Sequence, residues 1–432
     1  MDQHRFDGLA KRLADGRVSR RRALGVAGAG IASSTLIGTN VRRAAAQDSA
    51  TPVSSPERYA AADIAAIARE AMDQYNLKAL ILRVTVDGEE VITTALGESM
   101  SGVPATTDMH FRNGAVAIAY VATLLLRLVD RGVVGLDDPI VTWLPDLPEA
   151  DRVTLRMLAN MTSGYPDYLR SPEFVTALYE NPFRQWSAEE RIPYGLAIPR
   201  AFEPGTNWDY SHNGFVILGQ ALEAITGKPM AVLLQEQILA PLGLHNTASW
   251  ATPFIPEPVL HAFSSERRGP LGIPDGTKFY EDSTYWNPSW SISDGAVQTT
   301  DIYDMAASAE AIGEGMLLSP ESHVAQLAPD LIGFGSKLDG CPACHTLDEA
   351  YNYGLGIKIW GSWIAQDPTL AGFDAVMAYL PAKRIAISIV ATYREEAFEA
   401  DAQGNFTFST GAKGLFGAIG SYLAPDDAPP AR

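Results

Sequence analysis

The chain has 432 residues, of which 47% are hydrophobic and 19% charged, so it can bury a sizeable core and is not intrinsically disordered. Its formal net charge is −18, from 33 basic and 51 acidic residues; a surface of that sign repels phosphate backbones and excludes nucleic acid as an expected partner. Two cysteines exclude a disulfide-dense scaffold, and nothing after residue 46 offers the ~18 uninterrupted apolar residues of a membrane span.

Residues 1–46 differ in composition from the rest. The run Ser19-Arg20-Arg21-Arg22-Ala23-Leu24 leads into a modest apolar stretch to Ile37, and Arg42-Arg43 precede the small-residue site Ala44-Ala45-Ala46. Paired arginines before such a stretch resemble a twin-arginine export signal, which implies a folded protein delivered to the periplasm, the cell envelope or the exterior. No cysteine lies near the cleavage site, so a lipid anchor there is not expected. Residues 47–56 read as a Ser/Pro/Thr-rich linker.

From Glu57 to Tyr75 the apolar residues Ile64, Ile67, Ala68 and Met72 share one helical face, opposite Glu70 and Asp73. Leu80–Val86 and Val91–Ala95 read as strands joined by an Asp87-Gly88 hairpin turn. Near the other end, Ala375–Leu380 and Ile385–Ala391 read as strands around Pro381-Ala382, and Lys413–Leu423 as a final helix. The expected architecture is α+β and two-lobed, within a domain from 57 to 425. An antiparallel sheet lobe comes from about 57–105 and 350–425, and a helix-rich lobe from about 106–349.

Several strings between 57 and 395 resemble the serine β-lactamase and penicillin-binding-protein family, in its class C and D,D-peptidase-like branch. They are Phe111-Arg112-Asn113-Gly114 with Gly135-Leu136-Asp137-Asp138-Pro139, and Thr154-Leu155-Arg156-Met157-Leu158 with Thr162-Ser163-Gly164. Pro204-Gly205, Tyr210-Ser211 with Gly214–Gly219, Pro241–Leu244 and Tyr353–Gly356 continue the likeness. Met161 stands where the family usually has histidine. The resemblance implies a β-lactamase/transpeptidase-like fold and serine-hydrolase ancestry.

Function in that family sits in three short motifs. S-x-x-K at a helix start puts a serine nucleophile and a lysine base one turn apart on one face. Here the positions read Ala115-Val116-Ala117-Ile118, and neither alanine nor isoleucine can attack or carry a proton. Y-x-N keeps Tyr210 but has His212 for the asparagine, and imidazole cannot copy an amide's paired donor and acceptor. In the third motif, H-x-G on the strand beside the cleft, histidine has become Gln366 and glycine Pro368, with Asp367 between them. Proline removes a ladder donor and blocks close approach of an acyl group. Of six key positions, Ala115, Ile118, Tyr210, His212, Gln366 and Pro368, only Tyr210 keeps the family's residue.

The leading expectation is a pseudoenzyme: an exported family member without chemistry, whose cleft near Tyr210, Ser211, His212, Gln366 and Asp367 takes a small-molecule or cell-wall-derived ligand. A second reading is a β-lactamase, D,D-peptidase or esterase working through Tyr210, Ser211 and His212, although a Ser211–His212 couple needs an orienting group the sequence does not identify. Cys341-Pro342-Ala343-Cys344-His345 supplies a third reading, a redox or haem-binding envelope protein, since C-x-x-C-H is the haem-attachment string. A cytochrome's helical domain and axial methionine are missing, zinc lacks a full local ligand set, and a short disulfide between Cys341 and Cys344 is the expected state. No cofactor and no metal are expected.

Overall fold

A computed structural model describes residues 59–431, apart from 251, 275, 329, 401–405 and 409. The expected export signal and linker lie outside the described residues. The first helix, α1 (Ala61–Gln74), buries Ile64, Ala68, Ala71 and Met72, the face that the apolar spacing marks. Strands β1 (Leu77–Val86) and β2 (Glu89–Met100) are longer than their apolar cores and meet at Asp87-Gly88. Both turn residues have positive φ, 56° and 78°, which suits a two-residue hairpin whose twist matches its strands.

After β3 (Val103–Pro104) the chain leaves the sheet for three principal helices, α2 (Val116–Asp130), α3 (His212–Thr226) and α4 (Ile302–Gly313). It returns through β4 (Asn352–Tyr353), β5 (Lys358–Trp360), β6 (Trp363–Gln366), β7 (Thr369–Leu370), β8 (Phe373–Leu380) and β9 (Ile385–Tyr393). The last helix, α5 (Gly411–Leu423), starts two residues before the apolar pattern does.

The nine strands make one antiparallel sheet in the order β3-β2-β1-β9-β8-β6-β5-β4, with β7 beside β8. Both chain ends thus meet in the middle of the sheet, where Ile81 pairs with Val390 and Leu82 with Ile389. Alternation sorts the side chains. Leu80, Leu82, Val84, Ile387 and Ile389 join Ile64, Leu415 and Phe416 under α1 and α5. Ala79, Ile81, Val390, Ala375 and Met377 join the helical side instead. Strands buried on both faces read as near-continuous apolar runs, which is why β8 and β9 were visible in the sequence.

Helix α2 runs through the helical side with Val116–Leu126 and Leu128 all buried, apolar all round as a central helix must be. Among the described residues no single helix is long and apolar enough to cross a membrane.

Candidate functional site

Three segments converge where α2 begins. The first is the entry to α2, held by a reciprocal pair: Asn113 Nδ2 donates to Gln298 Oε1 at 2.6 Å, and Gln298 N–H donates back to Asn113 Oδ1 at 2.9 Å. The second is the start of α3, and the third is the turn from β6 into β7. Between them lies a cleft of about 550 Å³, lined among others by Ala115, Tyr210, His212, Lys358, Asp367 and Pro368. The fold therefore assembles most of the positions that the motif reading singles out.

Three of those positions, Ala115, Ile118 and Pro368, carry aliphatic side chains. Ala115 is the residue before the first turn of α2 and offers only a methyl group to the cleft. Ile118 is fully buried in the helical core, one turn deeper. Pro368 presses on the α2 entry. A Cβ built on Gly114, whose φ is +49°, would come within 2.6 Å of the Pro368 Cβ. The turn from β6 into β7 thus packs closely beside the helix start at Gly114.

Gln366 is not a cleft residue. It is fully buried, and its Nε2 donates to the Gly356 carbonyl at 2.8 Å. Strand alternation explains this: Gln366 points into the sheet's helical face, while Ala365 pairs with Lys358 on the other. Ser211 is also misplaced by the sequence reading. Its Oγ donates to the Tyr165 carbonyl at 2.8 Å and accepts the Gly214 N–H at 3.2 Å, the work of a helix N-cap on α3. At 3% exposure it is sealed off from the cleft.

His212, the next residue, does face the cleft, and the structure supplies the orienting group that the sequence did not. Its Nδ1–H donates to Asp167 Oδ2 at 2.8 Å, and its backbone N–H reaches the same oxygen at 3.2 Å. Burial alone would push the Asp167 carboxyl up. His212 and the Leu169 N–H outweigh it and hold the carboxyl below the usual range. Tyr210 stands beside this dyad, its ring 5.3 Å from the imidazole. Burial raises the Tyr210 phenol, with the Lys358 ammonium opposing, so the hydroxyl keeps its proton.

Lys358 is the cation that sequence reasoning missed. It is ion-paired with Asp367 and lies 5.4 Å from the Tyr210 ring centroid. Burial works against its charge, but the Asp367 carboxylate more than compensates and lifts its pKa, so the lysine stays an ammonium. The charge of Asp367 is compensated by this partner. No residue near it marks Lys358 as functional in the sequence; only the pairing of β5 with β6 brings it in.

A second space of about 380 Å³ adjoins the cleft, sharing Leu169, Trp290, Thr369, Leu370 and Thr410 with it. Its walls mix apolar and aromatic side chains, Leu178 and Trp286 among them, with polar ones such as Thr369 and one carboxyl, Glu266, which burial pushes up. Cys341 and Cys344 are joined by a disulfide, so neither sulfur is available for thioether attachment of haem.

The family model described as Beta-lactamase matches residues 64–411. The chain belongs to the β-lactamase family. Among curated relatives it is similar to the esterase EstB of Burkholderia gladioli, 28% identical over 305 residues that cover 65% of this chain and 77% of the esterase. It is also similar to the D-alanyl-D-alanine-carboxypeptidase/endopeptidase AmpH of Escherichia coli, 29% identical over 178 residues, 39% of this chain and 45% of that protein. Among solved structures it resembles a penicillin-binding protein from Bacillus halodurans, with TM-score 0.64 and 19% identity over 82% of this chain and 99% of that one. An octameric penicillin-binding protein homologue from Pyrococcus abyssi superposes with TM-score 0.66 and 17% identity, over 85% and 79% of the two chains. The mixed fold with its antiparallel sheet is that of the family.

Proposed function

We propose that this β-lactamase-family protein has shed serine acylation and uses the inherited cleft to bind a ligand, as an exported pseudoenzyme. On this reading residues 1–46 are the export signal and 57–425 the β-lactamase-like domain. One observation carries it: the side chain at the α2 entry, facing the cleft, is Ala115. Loss of a nucleophile alone costs about six powers of ten in rate. Here the base position is a buried isoleucine as well.

The remaining cleft still has the means to bind. Tyr210 offers a phenol, and the Lys358–Asp367 pair offers both charges at one wall. The adjoining aromatic chamber has room for an apolar substituent. The ligand class that fits is an acylated or peptide-like molecule with an apolar group, of cell-wall or related origin.

Incubation of the purified protein with a fluorescent penicillin, followed by intact-mass measurement, tests the reading. No adduct is expected, and a stoichiometric acyl adduct on any residue sinks it.

The Asp167–His212 dyad favours one second reading, a hydrolase in which His212 takes a proton from water instead of from a serine. Turnover of p-nitrophenyl butyrate that disappears in His212→Ala and survives in Ser211→Ala would establish it in place of the first.

A further inference from the structure

We propose that Cys341, Cys344 and Asp209 form a binding site for a tetrahedral divalent cation, Zn2+ by its ligand chemistry, that becomes available when the Cys341–Cys344 disulfide is reduced. The sequence offers two sulfurs at the C-x-x-C spacing common to zinc sites, with no third ligand nearby except His345. The fold brings that third ligand from the segment just before α3. The two sulfurs and a carboxylate oxygen of Asp209 all lie within 4.8 Å of one another, and all three residues are buried. Tetrahedral zinc with bonds of about 2.3 Å to sulfur and 2.0–2.2 Å to oxygen sets neighbouring ligand atoms under roughly 4 Å apart. Parting of the two sulfurs and small side-chain rotations reach that arrangement.

The state of Asp209 is the second, independent observation. Its carboxylate ion-pairs with Arg170 through Oδ2. Its Oδ1 is buried with no hydrogen-bond partner among the described residues, in a side chain 7% exposed. Buried carboxylate oxygens ordinarily have a donor, and a disulfide has no hydrogen to give. A cation held by two thiolates satisfies this oxygen.

The site has a route to the cleft. Pro342 and Ala343, inside the disulfide loop, and His345 just after it line the cleft wall, and the His345 ring packs edge-on 5.1 Å from Trp208. Asp209 directly precedes Tyr210. Exchange of a disulfide for a metal therefore acts on the wall that faces the ligand.

The chemistry balances with a dithiol as reductant. The dithiol gives two electrons and two protons to the Cys341–Cys344 bond and leaves as its own disulfide. Zn2+ then takes the place of the two thiol protons, which go to solvent.

The test uses the full chain treated with tris(2-carboxyethyl)phosphine, with thiols titrated, reductant removed, ZnCl2 added and the protein desalted before metal analysis. The reduced protein is expected to retain a single Zn2+ and the oxidised protein none. Replacement by Co2+ should give thiolate-to-metal charge-transfer absorption. Asp209→Asn should weaken binding by more than the roughly 10- to 100-fold that loss of a supporting group costs. Failure of the thiols to appear, reduced protein that retains no zinc, or a folded Asp209→Asn variant that binds as tightly each overturns the proposal. If Asp209→Asn does not fold, X-ray absorption of the wild-type zinc site decides. Two sulfur neighbours with oxygen completing the shell are expected, and an all-sulfur shell from bridged chains overturns it.

Discussion

His212 and Asp167 are 45 residues apart in sequence and share one hydrogen-bonded carboxylate oxygen, at 2.8 Å from the imidazole and 3.2 Å from the backbone N–H. The pair fixes how α3 presents its first residue to the cleft. Asp167→Ala leaves a half-buried imidazole and two backbone donors without their acceptor, and is expected to cost about 3 kcal/mol in urea denaturation. The sign with pH follows from the depressed Asp167 carboxyl. Its contribution is complete above the unfolded value of about 3.9 and is lost as pH falls through the lower folded value. An Asp167→Asn variant should therefore lose stability relative to wild type at neutral pH and converge with it in acid.

Asp374 has the opposite sign. It is buried at the junction of β8 and α5, accepting from the Tyr393 hydroxyl and from the Ala412 N–H at 2.9 Å. Burial pushes its carboxyl up to about 7. Between about pH 4 and that value the unfolded chain has lost this proton while the folded chain keeps it. The group's contribution is thus full below about pH 4 and falls as pH rises toward 7, by up to a few kcal/mol. Asp374→Asn should flatten that fall, read as urea midpoints across the range; an unchanged slope would mean the carboxyl is not held protonated.

Ser211 separates capping from catalysis. Ser211→Ala is expected to cost about 1 kcal/mol by loss of the α3 N-cap, visible as a lowered melting temperature. It should leave any ester hydrolysis unchanged, because Oγ is sealed against Tyr165 and Gly214. A large loss of turnover at full stability would return Ser211 to the chemistry.

The strands at both ends were legible because the period of two and the long apolar runs are local signals. Ala115, Tyr210, His212 and Pro368 line one cleft, since their positions ride on motif spacing within rigid elements. Gln366 does not: strand alternation on β6 turns its side chain into the sheet's helical face, where its amide donates to the Gly356 carbonyl. Asp167, Lys358 and Asp209 left no trace, because each meets its partner across a tertiary contact. A carboxylate in a loop looks the same in sequence whether it cradles a histidine, an arginine or solvent.

Restoring the family's residues tests the site assignment directly. Ala115→Ser alone should give no hydrolysis of a chromogenic cephalosporin, since no base stands one turn on. Ile118→Lys places an ammonium in a fully buried position and should destabilise the fold by a few kcal/mol unless Tyr210 or a carboxylate reaches it. With both changes, the acyl group would still meet Pro368 against Gly114. Adding Pro368→Gly opens that approach, His212→Asn returns an amide to the cleft, and Gln366→His, at a buried position, completes the set of family residues. Positioning of this kind supplies several kcal/mol of a barrier, so acylation should appear only in the combined variant. The readout is a penicillin mass shift on the peptide containing position 115, with thermal denaturation run alongside. A folded quintuple variant that never acylates would show that the cleft has lost more than its side chains, and would remove position 115 from the site.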